Sequence, residues 1–145
     1  MPHYLPPQIE QNQVIIHNNH GGLVDQFLAQ SREWEYQGKT IKISGLCASA
    51  CTLYLHNEKT CIENGTTKFG FHAARIAWGE SNHPIIGPID QNSTRIMMNY
   101  YPPGIRDWIL RKGGLGLNMI FLTGKELLNL VPRCVNAFHK RHLSN

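Results

Sequence analysis

Short apolar runs separated by glycine-containing turns set the pattern of this chain. Gln13-Val14-Ile15-Ile16-His17 reads as a buried strand ending in the turn-forming cluster Asn18-Asn19-His20-Gly21-Gly22. Over residues 23–37 the apolar positions Val24, Phe27, Leu28 and Trp34 recur near helical spacing, and Gly38 is placed to cap that helix. A β-rich run, Thr40-Ile41-Lys42-Ile43-Ser44, follows directly. It feeds a turn of small residues, Gly45-Leu46-Cys47-Ala48-Ser49-Ala50-Cys51, and an apolar helical run leaves it, Thr52-Leu53-Tyr54-Leu55. Strand, helix, strand, turn, helix is a βαβα order, which implies parallel strands joined by right-handed crossovers.

Further along, residues 59–62 and 68–72 read as two strands joined through Glu63-Asn64-Gly65-Thr66, which contains a strong turn dipeptide. Residues 73–89, punctuated by glycine and proline, read as a loop. Residues 91–101 read as a helix, and Pro102-Pro103 opens a second that runs through Arg111 to the stop at Gly113-Gly114. Residues 119–122 are strand-like, Thr123 is placed to N-cap a short helix through Asn129, and residues 131–134 read as a last strand. The resulting division is an irregular or frayed lead-in over 1–12, one domain over 13–135, and a C-terminal tail over 136–145.

The composition narrows the class. At 145 residues the chain fits one domain with its own core, and 41% hydrophobic with 17% charged residues is the balance of a globular protein. The net charge of +4 is modest, and the only basic cluster, His139-Lys140-Arg141-His142, reads as a solvated tail, so no nucleic-acid partner is expected. No apolar run reaches the ~18–20 residues of a membrane span. The N-terminal residues show no secretion-signal pattern, which leaves a cytoplasmic home or an exported chain that has lost its signal. Both Asn-x-Thr sequons, at Asn64 and Asn92, read as chance.

Candidate chemistry concentrates at the small-residue turn. A serine between a strand and a helix is lifted clear of the sheet and surrounded by helix-start N–H groups, the layout of a nucleophile elbow, here centred on Ser49. His72, downstream, is available as its base. His17 and His20 read as turn residues, and Trp34, Trp78 and Trp108 as core or loop anchors. Cys47, Cys51, Cys61 and His72 lack the paired spacing of a structural zinc site, so no metal and no cofactor are expected. Four cysteines suit two disulfides in an oxidising compartment. With Cys51 in the first turn of the elbow helix and Cys61 in the strand returning from it, a Cys51–Cys61 bridge is expected, leaving Cys47 and Cys134 to pair or stay free.

Four separated segments together resemble one family. The chain is similar to the Clp protease proteolytic subunit and, more closely, to the small predicted periplasmic Clp-like proteins of the Clp/crotonase superfamily. Residues 15–22 resemble the family's strand ending in Ser-Pro-Gly-Gly, and residues 45–52 its Gly-x-x-x-Ser elbow. Phe71-His72 falls where the family has its catalytic histidine, and residues 121–126 resemble its Phe-Leu-Ser-Ala-x-Glu segment. The match spans about residues 14–132, most of the chain.

The resemblance implies an α/β, single-domain Clp/crotonase-type ββα fold, with a mostly parallel sheet and flanking helices. It implies Ser49 as nucleophile, His72 as general base, and the Gly22 and Ala50 N–H groups as oxyanion donors. The family's third member is an aspartate two positions before the Phe-Leu segment. A gapless match puts Met119 there with Asn118 beside it, so Asn118 is the expected third member, with Asp107 and Glu126 as alternatives in a shifted register. Relatives carry a further strand at the N-terminus and form rings, so homo-oligomers are an expectation that the short lead-in weakens.

The expected function is therefore a serine hydrolase acting on a peptide or protein substrate. The competing expectation is a Clp-like fold whose catalytic set has decayed into a binding or assembly scaffold. An acyl-CoA enzyme of the crotonase type stands third, because a serine–histidine pair is not its usual equipment. The resemblance favours a periplasmic or secreted location.

Overall fold

The computed structural model describes residues 6–9, 12–80 and 82–135. The basic tail and most of the lead-in lie outside the described residues. The elements in chain order are β1 (Gln8–Ile9), β2 (Gln13–Asn19), α1 (Val24–Tyr36), β3 (Thr40–Ala48), a 3-10 elbow helix (Ser49–His56), β4 (Thr60–Ile62), β5 (Lys68–Phe71), β6 (Arg75–Glu80), β7 (His83–Ile89), α2 (Gln91–Tyr100), α3 (Pro103–Arg111), β8 (Ile120–Leu122) and α4 (Gly124–Leu130). The fold is mixed α/β.

Six strands form a mixed sheet in the order β1-β2-β3-β5-β8, with β4 also paired to β3. β2, β4 and β5 all run parallel to β3, while β1 and β8 lie antiparallel at the two edges. β3 is the axis. One of its edges meets β2, and its other edge meets β4 along residues 41–43 and then β5 along residues 46–48. Ile41, Ile43 and Cys47 of this strand are fully buried, and burying each large aliphatic side chain contributes about 1.5–3 kcal/mol.

The helices cover the sheet by aromatic anchors. Tyr54 of the elbow helix takes Phe27 and Trp34 of α1, with ring centroids 5.4 and 5.2 Å apart. Phe71 of β5 packs on Tyr101 and on Trp108 of α3, each at 5.4 Å. Trp108 also donates its indole N–H to Glu126 of α4 at 2.9 Å, tying the last two helices together.

Three local expectations change. The segment expected as a loop over 73–89 is a β-hairpin, β6 against β7, standing as its own two-stranded sheet. Its glycines and prolines hid it, because both strands have a free edge where such residues are tolerated. The Trp78 indole lies over Gly87 of the facing strand, filling the place of the missing side chain. The expected last strand over 131–134 is a single bridge between Ile62 and Arg133, held by Ile62 N–H to Pro132 and Cys134 N–H to Ile62. Thr123 sits at the N-cap of α4 but makes no capping hydrogen bond with its side chain.

The disulfides also differ from expectation. Cys47 pairs with Cys51, and Cys61 pairs with Cys134; there is no Cys51–Cys61 bridge. β3 continues four residues beyond Ser44, so the elbow lies at its far end, whereas Cys61 stands opposite Lys42 near its start. At ~3.3 Å per residue the stretch from Lys42 to Cys47 separates the two places by about 16 Å, beyond the reach of a disulfide. Trp78 is an exposed hairpin residue, while Trp34 and Trp108 are core anchors.

Candidate active site at the carboxyl ends of three parallel strands

The residues singled out by sequence converge on one end of the sheet. β2 ends at Asn19, paired with Cys47 of β3, and Ala48 of β3 is paired with Gly70 of β5. The glycine turn, Ser49 and His72 therefore follow the carboxyl ends of three neighbouring parallel strands, the usual place for a ligand site in such sheets.

Ser49 is the turning point. Its φ of 58° is left-handed, a conformation that costs a non-glycine residue about 1–3 kcal/mol. The surroundings hold it there from several sides. The Cys47–Cys51 disulfide closes a small ring around it, with both cysteines fully buried. Thr52 Oγ1 donates to the Ser49 carbonyl at 2.6 Å. On another side Gly21 presses against the turn: a Cβ there would stand 2.7–2.8 Å from Ala48 O, Ala50 N and Ser49 Cβ. Gly21 also has φ +88°, so both its conformation and its closeness require glycine. Asn19 fixes this turn by accepting the Gly21 N–H on Oδ1 at 2.8 Å. Gly22 N–H has no protein partner among the described residues, which leaves it available beside the elbow. Ala50 is the second residue of the elbow helix, where the first N–H groups have no partner within the helix.

His72 is half-buried, and its Nδ1 lies 2.7 Å from the carbonyl oxygen of Ala73. A carbonyl only accepts, so Nδ1 carries a proton, and in the neutral ring that leaves the lone pair on Nε2. Ala73 is itself anchored, donating its N–H to Gly116 O at 2.8 Å. Asn118 is exposed and is not the partner of Nδ1. Asp107 is exposed on α3, and Glu126 is engaged by Trp108 and by Lys112 at 3.4 Å. Continuing the antiparallel register Gly70↔Phe121 and Phe71↔Ile120 by one residue sets Met119 across from His72. The Met119 side chain lies over Gly70, and the His72 ring makes its hydrogen bond to the backbone.

A second serine–histidine pair lies nearby but has the opposite polarity. Asn18 Oδ1 accepts the Leu46 N–H at 2.9 Å, so its Nδ2 donates to His17 Nε2 at 3.0 Å. His17 Nδ1 must then carry the proton and donate to Ser44 Oγ at 2.8 Å. Ser44 receives a hydrogen bond where a nucleophile would give one, so this pair braces β2 against β3.

Gly21, Thr52, Tyr101 and the Ala73 carbonyl are contributors that sequence reasoning did not single out. Only Asn19-His20-Gly21 carried a local signal, as an Asn-x-Gly turn in which the side chain caps the glycine amide. All four cysteines are in disulfides, and no cluster of metal-ligating side chains occurs among the described residues. No helix among them is long and apolar enough to cross a membrane. Two disulfides are consistent with an oxidising compartment such as the periplasm or the cell exterior. Compared with known proteins, the chain matches no protein-family model and no curated protein.

Proposed function

We propose that the protein is a serine hydrolase of Clp-like type acting on an amide or peptide bond. The observation that carries this reading is the left-handed Ser49 at a strand-to-helix turn, with the glycine turn packed on it and His72 directly after the adjoining strand with its Nδ1 proton on the Ala73 carbonyl. Ser49 Oγ attacks the substrate carbonyl carbon while His72 Nε2 takes its proton. The oxyanion so formed accepts hydrogen bonds from the N–H groups of Gly22 and Ala50. His72 returns the proton to the leaving amine, and water then hydrolyses the acyl-Ser49 ester by the same route. The Ala73 carbonyl holds the imidazole in place of a carboxylate.

A fluorophosphonate probe tests the reading. Ser49 Oγ displaces fluoride and forms a bond to phosphorus, and peptide mass mapping locates the adduct. Labelling confined to Ser49 and lost in Ser49→Ala and His72→Ala supports the hydrolase.

The second reading is a scaffold that keeps the fold without the chemistry. It is favoured by Ser49 Oγ having no hydrogen-bond partner among the described residues and by Met119 standing at the position where the resembled family has its aspartate. Absence of labelling in folded wild-type protein selects it.

A further inference from the structure

The wall of the elbow away from Gly21 contains a chain of hydroxyls. Thr52 and Tyr101 are both buried, and their side-chain oxygens lie 2.6 Å apart. Thr52 Oγ1 also lies 2.6 Å from the Ser49 carbonyl oxygen, which can only accept. The single Thr52 proton is therefore committed to Ser49, and Tyr101 must donate its own to Thr52. The order is Tyr101 O–H to Thr52 Oγ1, then Thr52 O–H to Ser49 O. Successive donors of this kind polarise one another and strengthen each bond.

The Ser49 carbonyl and the Ala50 N–H belong to one planar trans peptide group and point in opposite directions. Pulling the carbonyl toward Thr52 therefore aims the Ala50 N–H the other way. That is the side on which Gly21 lies, since a Cβ on Gly21 would stand 2.8 Å from Ala50 N. A threonine hydroxyl bonding three residues back is common in helices. Here its rotamer is fixed from behind by a tyrosine 49 positions along the chain. Tyr101 is held in turn, its ring against Phe71 and its N–H on Met97 O at 3.1 Å.

We infer that Thr52 and Tyr101 are positioning residues that lock the Ser49–Ala50 peptide plane and so aim the Ala50 N–H as an oxyanion donor. This inference rests on the hydrolase reading. It assigns to the junction after α2 a function in the site at the end of β3, with no contact to substrate.

The test compares Thr52→Val, Thr52→Ser and Tyr101→Phe with wild type, using two readouts. The first is fluorophosphonate labelling of Ser49, resolved into the binding constant and the maximal rate. Thr52→Val is expected to lower the maximal rate by about tenfold or more, with the binding constant little changed, against the ~100–1,000-fold loss of a whole donor. Tyr101→Phe is expected to lower it severalfold, and Thr52→Ser, which keeps the hydroxyl, to restore it. The second readout, the NMR order parameter of the Ala50 N–H, needs no catalysis. It should fall in Thr52→Val and not in Thr52→Ser, while those of the Ile41 and Ile43 amides stay high. Wild-type rates of labelling in a folded Thr52→Val would overturn the inference and leave the hydrolase standing. Absence of labelling in wild type would overturn the hydrolase reading; the peptide-plane lock then stands or falls on the Ala50 order parameter alone.

Discussion

His72 gives its Nδ1 proton to the carbonyl of Ala73, the next residue in its own chain, at 2.7 Å. The orientation of the ring is thus set by backbone that strand β5 itself delivers, and the position across from it is free to be a methionine. An aspartate there would add a charge that stabilises the imidazolium. Met119→Asp is therefore expected to raise the Ser49 labelling rate, on the order of tenfold, less than the ~10,000-fold seen where the acid alone sets the tautomer. Asn118→Ala and Asp107→Ala should both leave the rate unchanged. Labelling kinetics of the three variants checks this, and a loss in Asn118→Ala would restore that residue to the site.

The two glycines of the turn should respond differently. Gly21→Ala combines a left-handed backbone with contacts of 2.7–2.8 Å to the elbow, so it should shift Ser49. The expected result is near-complete loss of labelling and a stability loss of about 1–3 kcal/mol in urea unfolding. Gly22→Ala meets only the edge of the Phe27 ring at 3.1 Å, which can move aside, and should keep most of the stability.

The disulfides differ in what they hold. Cys61–Cys134 closes a loop with a sequence separation of 73, for which the chain-entropy model gives about 4 kcal/mol. Cys47–Cys51, with a separation of 4, gives about 2 kcal/mol. Cys61→Ala/Cys134→Ala should therefore lose more global stability in urea unfolding, and Cys47→Ala/Cys51→Ala more Ser49 labelling. Non-reducing peptide mapping should return these two pairings and no other.

Acid should expose the cap of α2. Asp90 accepts the Ser93 N–H at 3.0 Å and the Ser93 hydroxyl at 2.9 Å, and these bonds hold its carboxyl below the ordinary value of 3.8. A lowered folded-state pKa contributes stability above the unfolded value, and that contribution is lost as pH falls through the folded one. The melting-temperature gap between wild type and Asp90→Ala should hold constant from about pH 8 to about pH 5 and close below about pH 4. A gap that widened in acid would contradict the cap.

Much of the architecture was legible because local chemistry and tertiary structure agree. Val14 and Ile16, Ile41 and Ile43, and Leu28 and Trp34 of α1 bury their side chains, and Val24 and Phe27 of α1 pack partly buried against the same core. The elbow announced itself through its small residues. What sequence could not show was carried by groups without a signature or by distance along the chain. The Ala73 carbonyl is backbone, identical in every residue. Tyr101 reaches Thr52 only because α2 is laid beside the elbow helix. The disulfide pairing depended on where β3 stops: ended at Ser44, the strand would put Cys61 beside the elbow, whereas ended at Ala48 it puts them at opposite ends. The hairpin escaped notice because its glycines and prolines are compatible with strands that have a free edge.

The Cys61–Cys134 bond also changes what a break in the chain means. The exposed hairpin over 75–89 is the natural place for a protease to cut, and a cut there severs the polypeptide between the two bonded cysteines. The pieces stay joined and run as one band until a reductant is added. Gly21, Ser49 and His72 all lie on the upstream piece, while the downstream piece brings the tyrosine that braces the elbow. A nicked molecule is therefore a two-chain protein that retains every group of its candidate site.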